Sequence, residues 1–227
     1  MDERSALAAL LADAGVQAPL VDSLAHYGAL VLETNRRFNV TGANTVEELT
    51  PHLLDSLSIV PYVQGPLIDI GSGGGLPAIP LALATGIDIT LVESTTKKAA
   101  FLEAALGTLG LRGRVVPQRA ELAGRDPALR EQFACATARA VSSAPTVLEL
   151  AVPFLRVGGV AVLQRGRLDD RERNAAIDAA PMLGAAMDRE IPLDGDRRVL
   201  LVRKIAETPP RFPRRTGVPE KRPLCLI

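Results

Sequence analysis

The fold is decided by the stretch Asp69-Ile70-Gly71-Ser72-Gly73-Gly74-Gly75-Leu76. Residues 66–70 before the glycines and residues 76–84 after them are apolar, so the order of elements is strand, glycine turn, helix. Because glycine has no Cβ, backbone amides and the start of the following helix can come close to a bound ligand. The stretch therefore predicts a nucleotide-type cofactor site at the end of a strand.

The spacing of the glycines indicates which cofactor is bound. The dinucleotide fingerprint G-x-G-x-x-G requires glycine at the position of Leu76, so the chain does not match it. The pattern is instead D-x-G-x-G-x-G, from Asp69 through Gly71 and Gly73 to Gly75, which is typical of S-adenosylmethionine-dependent methyltransferases. A carboxylate at this place suits a cofactor with an ammonium and a sulfonium group better than a pyrophosphate. S-adenosylmethionine is therefore the predicted cofactor.

The rest of the chain predicts an α/β fold around this turn. From residue 67 onward, short β-rich runs alternate with helical runs, which is typical of a parallel sheet with crossover helices. The last two runs are close together and are expected to be antiparallel. The fold class is a Rossmann-like, doubly wound, seven-stranded sheet of the class I methyltransferase type with an N-terminal helical extension. The predicted strands are residues 67–70, 87–92, 114–117, 133–139, 159–164, 187–193 and 198–204.

Three regions follow from these patterns. Residues 1–62 are predicted to form a helical segment packed on the core, residues 63–206 the methyltransferase core, and residues 207–227 a basic, proline-rich tail. Thr45 and Glu48 form a capping box at the start of one N-terminal helix. Pro51 lies in the first turns of that helix, so we expect its start a residue or two later.

Composition excludes several classes of protein. The chain of 227 residues is long enough for one substantial core, and its 26 basic and 26 acidic residues give no net charge, which argues against non-specific coating of nucleic acid. Two cysteines, Cys135 and Cys225, cannot form a disulfide framework or a metal site, and no metal is expected. No apolar run is long enough to span a membrane, and a reducing cytoplasmic location is expected.

The tail leaves two readings open. From residue 207 onward, five cations face two acidic residues, an excess of three positive charges. The segment is either a solvated proline-rich tail or an arm that contacts phosphates.

Ligands of doubly wound sheets bind at the carboxyl ends of the central strands, so candidate site residues were sought there. Glu93 ends the second strand about twenty residues after the turn, where an acid can accept from ribose hydroxyls. Ala120 and Glu121 follow the third strand, at the usual place of the adenine. Arg139 ends the fourth strand, within Thr137-Ala138-Arg139-Ala140-Val141, and is placed at the mouth of the site.

His52, Asp55 and Ser56 lie within five positions and could indicate the catalytic triad of a hydrolase. On one helix these side chains project in fixed directions from a single turn, whereas a nucleophile triad draws its members from separate elements. The triad is therefore rejected.

Several stretches together resemble one family, the bacterial small-subunit rRNA guanine-N7 methyltransferases, also called the glucose-inhibited division protein B family. The resemblance covers nearly the full chain. Its motifs are residues 35–41 (Asn-Arg-Arg-Phe-Asn-Val-Thr), 52–57 (His-Leu-Leu-Asp-Ser-Leu), 69–80, 91–94 with Lys97, Lys98, Phe101 and Leu102, 119–121 (Arg-Ala-Glu), 137–140, 203–209, 212–214 and 221–224. Two departures are Ala78, where glycine is common, and Gln164-Arg165-Gly166, where Lys-Gly is common.

The resemblance implies methylation of N7 of a single guanosine in the decoding-region stem-loop of 16S rRNA, with 16S rRNA or the 30S subunit as partner. It implies cofactor contacts at Gly71, Leu76, Ala120, Glu121 and Arg139. No general base is assigned, because guanine N7 carries a lone pair and no proton, and positioning supplies the acceleration. Arg139 and Asn39 are candidates near the methyl-transfer site, and a monomer is expected. The candidate RNA-binding residues are Arg36, Arg37, Arg165, Arg211, Arg214, Arg215 and Lys221.

Two alternatives remain open at this point. One is a methyltransferase of the same fold that acts on a small molecule or a protein, with the N-terminal helices as a substrate lid. The other is a non-catalytic ribosome-assembly factor that keeps the cofactor fold.

Overall fold

The computed structural model describes residues 2–139 and 142–225, and these residues contain a seven-stranded sheet. The strand order is β3-β2-β1-β4-β5-β7-β6, with every neighbouring pair parallel up to β5 and with β7 antiparallel to both β5 and β6. The predicted doubly wound sheet with a final antiparallel pair is confirmed. The strands are β1 Leu67–Ile70, β2 Ile89–Val92, β3 Gly113–Val116, β4 Phe133–Arg139, β5 Leu155–Arg165, β6 Ala185–Pro192 and β7 Arg198–Lys204.

Helices cover both faces of the sheet and form a separate hydrophobic core on each. Helices α1 to α5 pack on one face, and α6 to α8 with the C-terminal segment pack on the other. The helices are α1 Glu3–Asp13, α2 Ala18–Asn35, α3 Val46–Leu57, α4 Ala78–Thr85, α5 Thr96–Leu109, α6 Ala120–Ala123, α7 Ala144–Ala151, α8 Asp170–Met182 and α9 Val218–Lys221. None of the helices in these ranges is long and apolar enough to cross a membrane.

The N-terminal helices share the core of the first face. Leu7 and Leu11 of α1, Leu24 of α2 and Leu53 of α3 are fully buried in the same cluster as Leu81 of α4. The N-terminal region is therefore part of the layer that covers the sheet.

The start of α3 corrects one expectation. The helix begins at Val46, directly after the Thr45 cap, whose hydroxyl accepts from the Glu48 amide at 3.2 Å. The later start expected from Pro51 is wrong. Proline removes the hydrogen bond to the carbonyl four residues earlier, that of Glu47, but both residues are solvent-exposed, so water can satisfy that carbonyl.

The C-terminal segment, residues 207–225, is folded against the second face of the sheet. Phe212 and Leu224 are buried in the second core. The Arg214 guanidinium forms a bidentate pair with the fully buried Glu149 carboxylate, with distances from 2.7 to 3.0 Å, and the Arg214 amide also donates to Glu149. The solvated-tail reading is therefore wrong for the backbone of this segment.

Interactions from the core side hold the same segment. Arg130 donates to the carbonyls of Phe212 and Thr208 at 2.9 and 2.7 Å. Lys204 is completely buried and pairs with Glu131 at 3.0 Å, while the Glu131 carboxylate also accepts from the Thr208 amide at 2.8 Å. Charged side chains thus attach the segment in addition to its buried apolar residues.

Arg214→Met is expected to lower the free energy of unfolding by about 3 kcal/mol, because it leaves the Glu149 carboxylate buried without its charged partner. The matched control is Arg215→Met, since Arg215 is the exposed neighbour, and it should change stability by less than about 0.5 kcal/mol. Urea unfolding of both variants provides the measurement. Equal stabilities for the two variants would contradict this account of the segment.

Candidate functional site

The glycine turn lies at the carboxyl end of β1, where the sequence predicted it. Gly71, Gly73 and Gly75 all have positive φ, at 67°, 56° and 93°, a conformation that residues with a Cβ rarely adopt. A Cβ on Gly75 would lie 2.5 Å from the Ile79 side chain, so the start of α4 also requires glycine there. The turn therefore presents bare backbone to the space above it.

A loop from the N-terminal region lies directly against this turn. The Val40 carbonyl oxygen would be 3.2 Å from a Cβ on Gly74 and 3.5 Å from one on Gly73. The Tyr27 hydroxyl on α2, which is fully buried, donates to the Gly74 carbonyl at 2.6 Å. Burial raises the pKa of Tyr27, so this phenol keeps its proton and remains a donor. Tyr27 is a positioning residue that sequence reasoning missed.

Asn35 holds the loop itself. Its side-chain oxygen accepts from the amides of Val40 and Thr41 at 2.8 and 3.2 Å, and its nitrogen donates to the carbonyls of Thr41 and Ala43 at 2.9 and 2.6 Å. One amide side chain thus closes four hydrogen bonds across residues 35–43. The Asn35 motif was visible in the sequence, but its role as the organiser of the loop was not.

A cavity of about 420 Å³, here called the donor cavity, lies between the turn and the loop. Asn39 lines it with an exposed side chain, Arg139 with a half-buried one and Leu76 with a buried one. The complete lining is Asn39, Val40, Thr41, Gly42, Gly71, Ser72, Gly73, Gly74, Leu76, Lys98 and Arg139.

Asp69 is buried on β1, two residues before Gly71. Its Oδ1 accepts from the Thr137 hydroxyl at 2.7 Å, whereas its Oδ2 is buried and has no hydrogen-bond partner among the described residues. Burial raises the pKa of Asp69 to about 7, against the opposing effects of Thr137 and Arg139. An unpartnered buried carboxylate oxygen beside a glycine cradle is what a cationic cofactor group requires, so these residues fit S-adenosylmethionine.

The carboxylates of Glu93 and Glu121, the two other predicted acids, both accept hydrogen bonds from backbone amides. Glu93 accepts from the Gly73 amide at 2.9 Å and from the Thr95 amide at 2.7 Å, which places it at the glycine turn as the spacing predicted. Glu121 is buried and accepts from the Gly217 amide at 2.8 Å, so its carboxylate faces the C-terminal segment. Ala120 beside it is half-buried at the start of α6.

A second and larger cavity, of about 1100 Å³, adjoins the first and is here called the acceptor cavity. The two cavities share Thr41, Gly42 and Arg139 as a common wall. Arg139, predicted at the mouth of the site, thus lies at the boundary between the donor cavity and the acceptor cavity. Ala140 and Val141, which follow it in the motif, lie outside the described residues. The other lining residues are Pro51, His52, Leu54, Asp55, Ser58, Ser142, Gln164, Arg165, Gly166, Leu193, Asp194, Arg197 and Arg198.

Asp55 organises this cavity. Its carboxylate accepts hydrogen bonds from the guanidinium groups of Arg197 at 2.7 Å and Arg139 at 3.4 Å. Its backbone carbonyl accepts from the Gln164 side chain at 2.7 Å. Burial, and next the charge of Arg139, lower the pKa of His52. The rejected triad is absent among the described residues, because the buried Ser56 hydroxyl donates to the His52 carbonyl of its own helix.

The structure sorts the candidate RNA-binding cations into three kinds. Arg165 and Arg214 are held by Glu172 and Glu149, at 2.6 and 2.7 Å, and are part of the fold. Arg36 and Arg37 form exposed pairs with Glu3 and Glu33. The exposed cations of the C-terminal segment make no ion pair within residues 2–139 and 142–225: Arg211, which stacks on the Phe212 ring at 5.0 Å, Arg215 and Lys221.

The topology, the glycine turn at the end of β1 and the acid beneath it define a class I S-adenosylmethionine-dependent methyltransferase. Solved structures agree on the fold. Mitomycin 7-O-methyltransferase superimposes with a TM-score of 0.55 at 15% identity, over 90% of this chain and 76% of that one. Geranyl diphosphate methyltransferase, solved with S-adenosylmethionine, gives a TM-score of 0.54 at 15% identity, over 70% and 88%.

The chain belongs to the GidB family, described as rRNA small subunit methyltransferase G, whose family model matches residues 20–197. Relatives named ribosomal RNA small subunit methyltransferase G include one from Pelotomaculum thermopropionicum, 41% identical over 87% of this chain and 88% of the relative. Another, from Rubrobacter xylanophilus, is 42% identical over 89% of this chain and 83% of the relative. The resemblance inferred from the motifs is confirmed.

Tyr27→Phe is expected to weaken S-adenosylmethionine binding by about threefold to tenfold, because the Gly74 carbonyl loses its hydrogen bond and the glycine turn loses its support. The matched control is Tyr62→Phe at the other tyrosine of the chain, which is half-buried outside the cavities and should leave affinity unchanged. Isothermal titration with the cofactor measures both. An unchanged dissociation constant for Tyr27→Phe would show that the hydroxyl does not support the turn.

Proposed function

We propose that this protein transfers the methyl group of S-adenosylmethionine to N7 of a single guanosine in the decoding-region stem-loop of bacterial 16S rRNA, in the cytoplasm. The observation that carries the proposal is the pair of adjoining cavities that share Arg139. One is bounded by the glycine turn of a methyltransferase, and the other is large enough for a nucleotide base. Membership of the rRNA small subunit methyltransferase G family supports the class of substrate.

The chemistry requires positioning more than proton transfer. When bound, the cofactor supplies an electrophilic methyl group, and its S–C bond breaks as the N7 lone pair forms the new N–C bond, so no proton has to be removed. The residues of this chain then have to hold the two reactants in line, which can contribute about 7–11 kcal/mol. The fixed wall formed by Arg139 and the Asn35-held loop is suited to that task.

Four of the proposed cofactor residues, Gly71, Gly73, Leu76 and Arg139, line the donor cavity. Asp69 would hold the ammonium group, and the glycine turn with Leu76 would hold the rest of the methionine part. Glu93 is placed for the ribose, because each of its oxygens retains a lone pair after binding one amide. The Ala120-Glu121 backbone is the adenine contact, since the Glu121 carboxylate itself is bound to Gly217. The full proposed set is Asp69, Gly71, Gly73, Gly75, Leu76, Glu93, Ala120, Glu121 and Arg139.

We next propose which of the candidate cations contact the RNA. We assign Arg211, Arg215 and Lys221 to the RNA backbone, because these exposed cations have no carboxylate partner among the described residues. Arg36 and Arg37 can exchange their carboxylates for phosphates, since exposed pairs contribute at most about 1 kcal/mol. Arg165 and Arg214 are not assigned to the RNA. If either arginine turned to a phosphate, the carboxylate of Glu172 or Glu149 would lose its charged partner inside the protein.

The function is tested by incubating the protein with labelled S-adenosylmethionine and either naked 16S rRNA or 30S subunits, followed by mapping of the modified base. A single 7-methylguanosine in the decoding-region stem-loop is expected. Label on a protein or on another base position would overturn the proposal, and cofactor binding with no transfer to either RNA would indicate a non-catalytic assembly factor.

Arg215→Met separates an RNA substrate from a small molecule or protein substrate. If Arg215 contacts a phosphate, the variant should bind the RNA more weakly, and the dependence of log K on log salt should become shallower by about one unit. Binding measured at several salt concentrations checks this, with Arg114→Met, at an exposed arginine on the edge strand β3, as the control. Identical salt dependence in both variants and the parent would contradict a phosphate contact at Arg215.

Cofactor affinity is expected to depend on pH through Asp69. The carboxyl group has a pKa of about 7 in the cofactor-free protein, and a nearby ammonium favours its ionised form, so below pH 7 binding must displace a proton. The dissociation constant at pH 6 should be roughly tenfold higher than at pH 7.5. Asp69→Asn should lose most of this dependence, while Asp88→Asn at an exposed strand end should retain it. Equal slopes in Asp69→Asn and the parent protein would assign the pH dependence to another group.

A further inference from the structure

The acceptor cavity contains a buried polar group whose hydrogen bonds are incomplete. Gln164 lies near the end of β5, beside Arg139 in the β4–β5 ladder, and is only 5% exposed. Its side-chain nitrogen donates to the Asp55 carbonyl at 2.7 Å, which fixes the orientation of the amide. Its oxygen, Oε1, is buried and has no hydrogen-bond partner among the described residues. Such atoms are rare in folded proteins and call for a physical explanation.

The charges around Gln164 indicate what kind of group the cavity accepts. Four arginines line it, and four carboxylates face them: Arg139 and Arg197 share Asp55, Arg197 also lies 3.8 Å from Asp194, Arg165 faces Glu172, and Arg198 faces Glu190. The cavity therefore offers no uncompensated positive charge from these side chains to a phosphate. A flat, uncharged, polar group such as a nucleobase fits this balance better.

We propose that Gln164 is a specificity-determining residue for the acceptor base, with its side-chain carbonyl accepting a hydrogen bond from the 2-amino group of the guanine held in the acceptor cavity. This inference rests on the proposed function. The 2-amino group is the donor that distinguishes guanine from adenine at this position of the purine ring. A site that leaves its acceptor unpaired with the wrong base discriminates strongly against that base.

The order of strands agrees with methyl transfer to N7. The 2-amino group and N7 lie at opposite corners of the purine, so a base anchored through one of them presents the other on its far side. β4 lies between β1, which carries the glycine turn, and β5, which carries Gln164, so the two strand ends are about 10 Å apart. Arg139 at the end of β4 lies between them and lines both cavities. A guanine with its 2-amino group at Gln164 therefore directs N7 toward the donor cavity.

Gln164 also has a structural role, because it connects β5 to α3 through the Asp55 carbonyl. Loss of activity in a Gln164 variant would not by itself distinguish the two roles. The ratio of the rates for two acceptor bases distinguishes the two roles, because a purely structural defect slows both substrates by the same factor.

The test uses the RNA substrate with either guanosine or inosine at the methylated position; inosine keeps N7 but lacks the 2-amino group. The parent protein should prefer guanosine in kcat/KM by about 10- to 100-fold. Gln164→Met, which keeps the volume and removes the amide, should reduce this preference to about onefold to threefold. The control Gln132→Met, at an exposed glutamine before β4, should keep the full preference.

A measurement without cofactor complements the kinetics. Titration of the protein with guanosine monophosphate and inosine monophosphate, followed by NMR of the side-chain amides, should show tighter binding of the guanine nucleotide and a shift of the Gln164 amide. Equal affinities and an unmoved Gln164 signal would overturn the inference.

The outcomes separate this inference from the proposed function. If the parent protein methylates guanine N7 but uses inosine equally well, the role of Gln164 is refuted and the proposed function stands. If Gln164→Met slows both substrates and keeps the preference, Gln164 is structural only. If the parent protein transfers no methyl group to guanine N7, both proposals fail.

Discussion

The structure depends on a backbone-to-backbone contact between the Val40 carbonyl and the turn at Gly73 and Gly74. A Cβ at Gly74 would push the Val40 carbonyl away by a few tenths of an ångström, and the positive φ of Gly73 disfavours a side chain there, so the contact depends on both glycines. Tyr27 and Asn35 fix the two sides of the contact, one from α2 to the turn and the other within the loop. The helical extension therefore has a structural role in the cofactor site, in addition to covering the sheet.

A second constraint acts on charge. The C-terminal segment has an excess of cations, but a simple count does not say which of them face solvent. Arg214 is fixed by Glu149, and two arginines outside the segment, Arg125 and Arg130, donate to its backbone carbonyls. Arg211, Arg215 and Lys221 are left at the surface. Attachment by buried ionic and polar groups thus presents a basic face on a protein with no net charge.

How much the sequence could predict follows from the range of each interaction. The turn, the strands and Glu93 were predictable because they depend on spacing within about twenty residues. The pairing of Arg214 with Glu149 joins positions 65 apart, and that of Asp55 with Arg197 joins positions 142 apart, so no local pattern reports either. The predicted start of α3 was wrong for another reason. The rule for proline assumes that the missing hydrogen bond has a cost, which is small in a solvent-exposed turn such as that of Glu47 and Pro51.

The two cavities differ in what builds them, and this difference bears on specificity. The donor cavity is lined by a glycine turn that any methyltransferase of this class can form and by residues 39–42 of the N-terminal loop, with Lys98 and Arg139 as its charged lining residues. The acceptor cavity takes its side chains from α3, from the end of β5 and from the loop before β7. The N-terminal extension and the last strand pair thus supply much of its lining around a common sheet. A fold of this kind can therefore keep its cofactor while its acceptor changes, because altering Gln164 or Asp55 leaves the glycine turn intact.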